Sequence, residues 1–356
     1  MIRLPRLNLD GFTMALAATV GLATLLPIRG EAAEGMHWLA DAAIALLFFL
    51  HGARLPREEV VAGVAHWRLH LLILSLTYVA FPLIGVLVVA TMPPSLLPPA
   101  LAVGVQFLCL LPSTVQSSIA FTSMARGNVA AAVCSSTLSN IGGILVTPLL
   151  VALFLKVQGA GQGAALSLDT IGTIAAQLLL PFVLGQLLRP WVGGWAARHK
   201  TLLKFTDRGS ILLVVYLAFS EAVANGLWHQ VPLPSLAVLV AIDGVILAVF
   251  LGGTTLLARR LGFSRGDEAA IVFCGSKKSL VSGVPMAGVL FSPATAGLVL
   301  LPVMLFHQIQ LMACAVLARR YADAAEALEP EAEAPALPPG GTPARIAANA
   351  QPVGRT

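Results

Sequence analysis

Residues 269–291 read AAIVFCGSKKSLVSGVPMAGVLF. Two adjacent lysines, Lys277 and Lys278, stand in the middle of a run that is otherwise apolar or small. A run of this length can cross a bilayer. An ammonium at mid-membrane costs about 2.5–3.5 kcal/mol even on the lenient insertion scale. Two in succession are tolerated only where the backbone breaks and the side chains face protein or a cavity instead of lipid. The segment therefore reads as interrupted around Cys274-Gly275-Ser276-Lys277-Lys278-Ser279. The plain alternative, that both amines snorkel to an interface, suits lysines near a segment end rather than at its centre. Neighbouring helical residues point about 100° apart, so one lysine can enter a site without the other. Lys278 is the favoured one.

Ten apolar segments follow the chain, roughly 10–28, 36–53, 68–91, 96–124, 128–156, 168–190, 204–226, 233–258, 267–291 and 295–318. The fourth carries a second interruption, Leu111-Pro112-Ser113-Thr114. The interrupted segments are the fourth members of two groups of five. Five is odd, so the second group is inverted relative to the first. Paired broken helices in inverted repeats mark a substrate site near the bilayer midplane. A break leaves free N–H groups on one side and free C=O groups on the other, and these hold ions where protein or water replaces lipid. The alternative is that Pro112 only kinks a packing helix.

Composition agrees with this reading. Of 356 residues, 57% are hydrophobic and 11% charged, against about 25% charged in soluble domains. That excludes a soluble globular enzyme, and disorder over most of the chain. Lys and Arg sort by loop: Arg3, Arg6, Arg54, Arg57, Arg68, Arg126, Arg189, Lys204, Arg259 and Arg320 are among those on one side, and only Arg29 and Lys156 fall on the other. Positive charge stays cytoplasmic, so both termini are expected inside, in a multi-pass inner-membrane protein. The net charge of +5 is thus about topology, and nucleic acid is not an expected partner. The first apolar run, after Arg3 and Arg6, is read as a span and not as a cleaved leader. Trp38, Trp67, Trp191 and Trp228 fall at segment edges, as an aromatic belt requires. Cys109, Cys134, Cys274 and Cys314 lie inside apolar runs without metal or disulfide spacing. No phosphate-binding glycine loop, HExxH or nucleophile elbow occurs, so no cofactor and no metal are expected, and a membrane-embedded enzyme is disfavoured. Residues 321–356 form a Pro/Ala-rich tail expected to be disordered and cytoplasmic.

Several polar residues inside apolar runs are candidates for an ion or substrate site. Asp243 (LAVLVAIDGVILAVF) needs a partner or a proton. A lysine of the ninth segment is the natural partner, and buried protonated filler is the alternative. Thr77 precedes Pro112 by about as many residues as Asp243 precedes Lys277, which makes Thr77 and Asp243 pseudo-equivalent in the repeat frame. His307, in LPVMLFHQIQL, either relays protons or only bonds a neighbouring carbonyl. Gln116, Ser117 and Ser118, after the fourth-segment break, and Ser136 beyond it, either coordinate a polar solute or pack helices.

The stretches PSTVQSSIAFTSMARGN, CGSKKSL with its continuation VSGVPMA, and LFHQIQL resemble the bile acid:sodium symporter superfamily, in its bacterial branch related to the seventh human member of that transporter family. The resemblance covers roughly residues 5–320. It implies an all-α fold of ten transmembrane helices in two inverted five-helix repeats, with helices 4 and 9 crossing at the ion site. Within a transmembrane domain of residues 1–320, a panel of roughly 10–53 and 168–226 would face a core of roughly 68–156 and 233–318. Carried over by alignment, the sodium ligands fall on Ser117 and Ser118, on Ala132 and Ser136, on Thr77, on Cys274 and on Lys278. A thiol thus replaces the acidic ligand, and an ammonium stands where an amide would. Lys277 and Ser276 adjoin that position. The expectation is a secondary transporter of a small organic anion, amphipathic or sterol-like, working by alternating access. It would be sodium-independent or proton-linked, with Lys278 in the role of the ion. The other reading is a regulatory membrane protein that affects cation homeostasis without bulk transport.

Overall fold

The computed structural model describes residues 11–54, 66–157, 168–226 and 231–326. Arg3, Arg6, Arg57, Trp228 and the tail from residue 327 onward lie outside the described residues. Helices account for every apolar segment, and the described residues contain no strand. In chain order they are α1 (Gly11–Leu25), α2 (Glu31–Arg54), α3 (Trp67–Ser75), α4 (Phe81–Thr91), α5 (Pro99–Leu110), α6 (Gln116–Met124), α7 (Val129–Val157), α8 (Leu168–Arg198), α9 (Lys200–Ala224), α10 (Leu233–Arg260), α11 (Arg265–Gly275), α12 (Leu280–Leu290) and α13 (Pro293–Glu326). The last helix continues six residues past the point where the tail was expected to begin.

A π-helical turn, Leu76–Ala80, joins α3 to α4 without a break. Together with α2, α7, α10 and α13, this continuous helix is long and apolar enough to cross a membrane. The chain is a polytopic membrane protein. Leu71, Leu83, Leu149, Leu153, Val245 and Val249 lie exposed along these helices, which suits lipid contact rather than water.

Small residues set the closest helix crossing. A Cβ on Gly52 of α2 would collide with the Phe182 carbonyl of α8, and one on Gly185 of α8 with the Phe49 carbonyl of α2. Backbone meets backbone there, as in membrane pairs that pack through glycine. Arg54 at the end of α2 donates to Asp207 of α9 at 2.7 and 3.3 Å, tying the two helices at that end.

Both interruptions foreseen in the sequence are present. Leu111 leaves helical geometry at φ −73°, ψ 154°, as a residue before proline does, and α6 starts only at Gln116. α11 ends at Gly275, and Ser279 caps a new helix by accepting from the Ser282 N–H at 3.2 Å. The breaks touch: the Ser279 N–H donates to the Pro112 carbonyl at 2.8 Å.

Candidate functional site

A helix that stops inside a protein exposes carbonyls that must find donors. At the end of α5 and in the break after it, five carbonyls have one. The Cys109 and Leu111 carbonyls accept from Lys278 Nζ at 2.9 and 2.7 Å. Leu110 accepts from Thr147 Oγ1, Pro112 from the Ser279 N–H and Ser113 from Asn140 Nδ2. A third carbonyl reaches the same ammonium, that of Thr77 at 2.9 Å. The π turn explains why it is free. The Phe81 N–H bonds back to Leu76, and the next residue, Pro82, has no N–H to offer. Lys278 Nζ therefore spends its three donors on three carbonyls and lies 4.0 Å from the centre of the Phe81 ring. It is 1% exposed.

The backbone of Lys278 is fixed as firmly. Its N–H donates to Gln310 Oε1 at 3.0 Å, and Gln310 Nε2 donates to its carbonyl at 2.9 Å. His307 Nδ1 lies 3.0 Å from the same Gln310 nitrogen, which links the histidine to the break.

Lys277 is held differently. Its ammonium donates to Ser117 Oγ at 2.9 Å and lies 4.4 Å from the Phe121 ring centre. It is fully buried. Around it the hydroxyls of α6 and of the preceding break cap the end of α11. Ser118 Oγ donates to the Phe273 carbonyl at 2.8 Å and Ser113 Oγ to the Cys274 carbonyl at 2.6 Å. Thr114 Oγ1 lies 2.8 Å from Ser117 Oγ and 2.9 Å from Ser118 Oγ. Each broken helix thus has its negative end closed by groups from the other, and Lys278 sits at the end of α5, where the helix dipole favours a cation.

Of the residues singled out in the sequence, Lys277, Lys278, Ser117, Ser118, Thr77 and Cys274 converge on the crossing. Thr77 contributes its carbonyl, while its hydroxyl donates to Ile73 within its own helix. Ser276 Oγ turns back to Val272, and Ser136 Oγ to Ala132. The Cys274 thiol lies 3.7 Å from the Ala132 carbonyl. Gln116 points away, into a cavity between α2, α8 and α9. Asp243 is a correction. It is buried, and neither carboxylate oxygen has a hydrogen-bond partner among the described residues, so the expected pairing with a ninth-segment lysine does not form. Lys278 meets three carbonyls and a ring face, and Lys277 a hydroxyl and a ring face.

Sequence reasoning did not find Phe81, Phe121 or the carbonyls of Cys109 and Leu111. Pro82 directly after Phe81 was the one available signal, because it leaves a carbonyl of the preceding turn without a donor. Ser282, which donates to Asn140 Oδ1 at 2.6 Å beside the crossing, had none, whereas Asn140 belongs to the polar cluster that the sequence marks after the fourth-segment break.

Comparison with known proteins agrees with this architecture. The profile of the SBF-like CPA transporter family matches residues 10–323. The chain is 57% identical over 335 residues to the uncharacterized protein PA2026 of Pseudomonas aeruginosa, covering 93% of this chain and 98% of that one. It is 53% identical over 328 residues to the Escherichia coli K12 protein named "Putative symporter YfeH", covering 92% and 97%. It is 27% identical over 320 residues to the rat sodium/bile acid cotransporter 7, covering 88% and 93%. With a match that spans nearly its whole length, the chain belongs to the SBF-like CPA transporter family, a family of transporters and not of enzymes.

Proposed function

We propose that the protein is a secondary transporter of a small organic anion that uses a built-in cation in place of sodium. The observation that carries this reading is the Lys278 ammonium, held by the carbonyls of Thr77, Cys109 and Leu111 beside the Phe81 ring. Carbonyl oxygens on one side of a helix break are what a coupling sodium would need. Here a side chain supplies the positive charge, and a fixed charge repels a second cation at close range. The relatives named for sodium and bile acids make those two the first candidates to test, not properties of this chain.

In this reading the chain crosses the inner membrane ten times, as two inverted groups of five, with both termini in the cytoplasm. The helices of residues 68–156 and 233–318 form a core that carries the crossing. Residues 10–53 and 168–226 form the panel, and access alternates by rocking of one against the other. Lys278, wholly enclosed, acts as ion surrogate rather than as the anion's contact. Asp243 is buried with no hydrogen-bond partner on either carboxylate oxygen among the described residues. It and His307 are the candidate proton partners if transport is proton-linked.

The reading is tested in proteoliposomes with a radiolabelled bile acid and a panel of simpler aromatic monocarboxylates, dicarboxylates and phosphomonoesters, under sodium and proton gradients imposed separately. Uptake of any of them at equal rate with and without sodium is the expected result. Saturable binding of radioactive sodium to the purified protein, or strict sodium dependence of uptake, overturns it. Solute binding without flux would favour a regulatory protein instead.

A further inference from the structure

A cavity of about 800 Å³ opens between α2, α8 and α9, with Gln116 of α6 on its wall. Arg54, Arg189, Lys204 and Asp207 line it, one from α2, one from α8 and two from α9. Three cations against one carboxylate leave two positive charges in excess. Asp207 is committed to Arg54 through two hydrogen bonds. Arg189 and Lys204 have no ion-pair or hydrogen-bond partner among the described residues.

Cytoplasmic lysines and arginines that only set topology ride on loops and point to water. Arg189 lies inside α8 and is half-buried, with Gly193, Gly194, Ala196 and Ala197 leaving space in front of it, while Lys204, also on a helix, is exposed. The cavity adjoins the helix crossing: Gln116 is on its wall, and the next residue, Ser117, holds Lys277. Arg54 also borders a smaller crevice of about 210 Å³, lined by Phe48, Ile144 and Met286 and by the polar Asn140 and Ser282. A charged chamber thus opens beside a compact apolar slot.

We propose that this cavity receives the transported solute, and that the solute is a dianion of phosphate or dicarboxylate type bearing a compact apolar group, rather than a monoanion. The assignment rests on the transporter reading above. Two guanidinium or ammonium groups without internal counter-charges match a doubly charged head, and guanidinium favours planar carboxylate or phosphate oxygens in pairs. The small volume of the slot suits a ring or a short alkyl chain.

The test is calorimetric titration of the full chain in phosphatidylcholine nanodiscs at pH 8, where a phosphomonoester is fully dianionic. The probes are phenyl phosphate, benzoate and benzyl alcohol. Phenyl phosphate is expected to bind about tenfold or more tightly than benzoate, with no heat from benzyl alcohol. R189Q and K204Q should each weaken phenyl phosphate about fivefold or more, and R189K less so, with thermal unfolding unchanged. Equal affinity for the two anions, or unaltered affinity in both Gln variants, overturns the proposal. A repeat in discs containing phosphatidylglycerol separates the other source of phosphate: unchanged affinity supports a soluble solute, and competition by the lipid overturns the assignment in favour of a headgroup site. The two readings fail separately. Anion uptake that persists in R189Q and K204Q sinks the cavity while leaving transport intact. Phenyl phosphate binding that R189Q and K204Q weaken, without any flux, sinks transport while leaving the cavity intact.

Discussion

Replacing Lys278 with methionine removes a charge but keeps most of the side-chain length. The structure says what this leaves behind: three buried carbonyls, of Thr77, Cys109 and Leu111, each without a donor. A buried polar group stripped of its partner costs about 1–3 kcal/mol, and the lost ammonium–ring contact adds roughly 2 kcal/mol for a desolvated pair. Against this, the variant no longer carries an ammonium at membrane depth, which returns about 2.5–3.5 kcal/mol. With three carbonyls affected, the balance is a net loss of about 2–8 kcal/mol. Lys277→Met differs in the first quantity only. Its ammonium gives up one hydroxyl partner, Ser117, which can rotate to Thr114, and the same charge-burial cost disappears. Its net change should lie within about 1 kcal/mol of zero or be stabilising. Adjacent lysines of the same chemistry are thus expected to differ by several kcal/mol in opposite roles. Equilibrium unfolding of each variant in mixed micelles, followed by tryptophan fluorescence, measures it. Equal losses for the two variants, or a larger loss for Lys277→Met, would refute the assignment of Lys278 as the satisfied structural cation.

Asp243→Asn should change stability by no more than about 1 kcal/mol, since its carboxylate has no partner to lose among the described residues; a loss above about 3 kcal/mol would reveal a hidden ion pair. Ser118→Ala uncovers the Phe273 carbonyl and should cost about 1–3 kcal/mol in the same unfolding assay. Coupled with Ser113→Ala it should give a non-additive cycle, because both hydroxyls close the end of one helix. Gly185→Ala drives a methyl into the Phe49 carbonyl and is expected to cost at least about 1–3 kcal/mol, read as reduced yield and melting temperature; a tolerated alanine would mean that α2 and α8 separate easily.

Two adjacent amines can share a break and yet do separate work because of where the helix ends point. Lys278 reaches across to the end of α5, where helical carbonyls run out of donors. Lys277 stays beside α6, where donors and acceptors are hydroxyls that rotate. The first arrangement is rigid and complete. The second has spare donors: an ammonium carries three N–H groups, and one hydroxyl takes one. If either amine responds to a bound anion, Lys277 is the better placed, one residue from the cavity that Gln116 lines.

The sequence alone determined the membrane class, the helical segments and the two interruptions, because each follows from local facts: apolar run length, a proline without an N–H, and two ammonium groups that lipid cannot solvate. It also picked out Lys278, Lys277, Ser117 and Ser118, because polar residues are costly in such runs and must be used, and Thr77 through its spacing in the repeat frame and the family resemblance. What it could not decide was who meets whom. The attractive pairing of Asp243 with a lysine rested on charge alone, and charge has no direction along a sequence. Only the tertiary structure brings the unspent carbonyls of α5 and of the turn at Thr77 to one point. Backbone acceptors are present at every residue, so nothing in the residue letters marks which of them a fold leaves open. The cationic cavity was hidden for the same reason: Arg54, Arg189 and Lys204 read as separate topology signals until α2, α8 and α9 place them around one space.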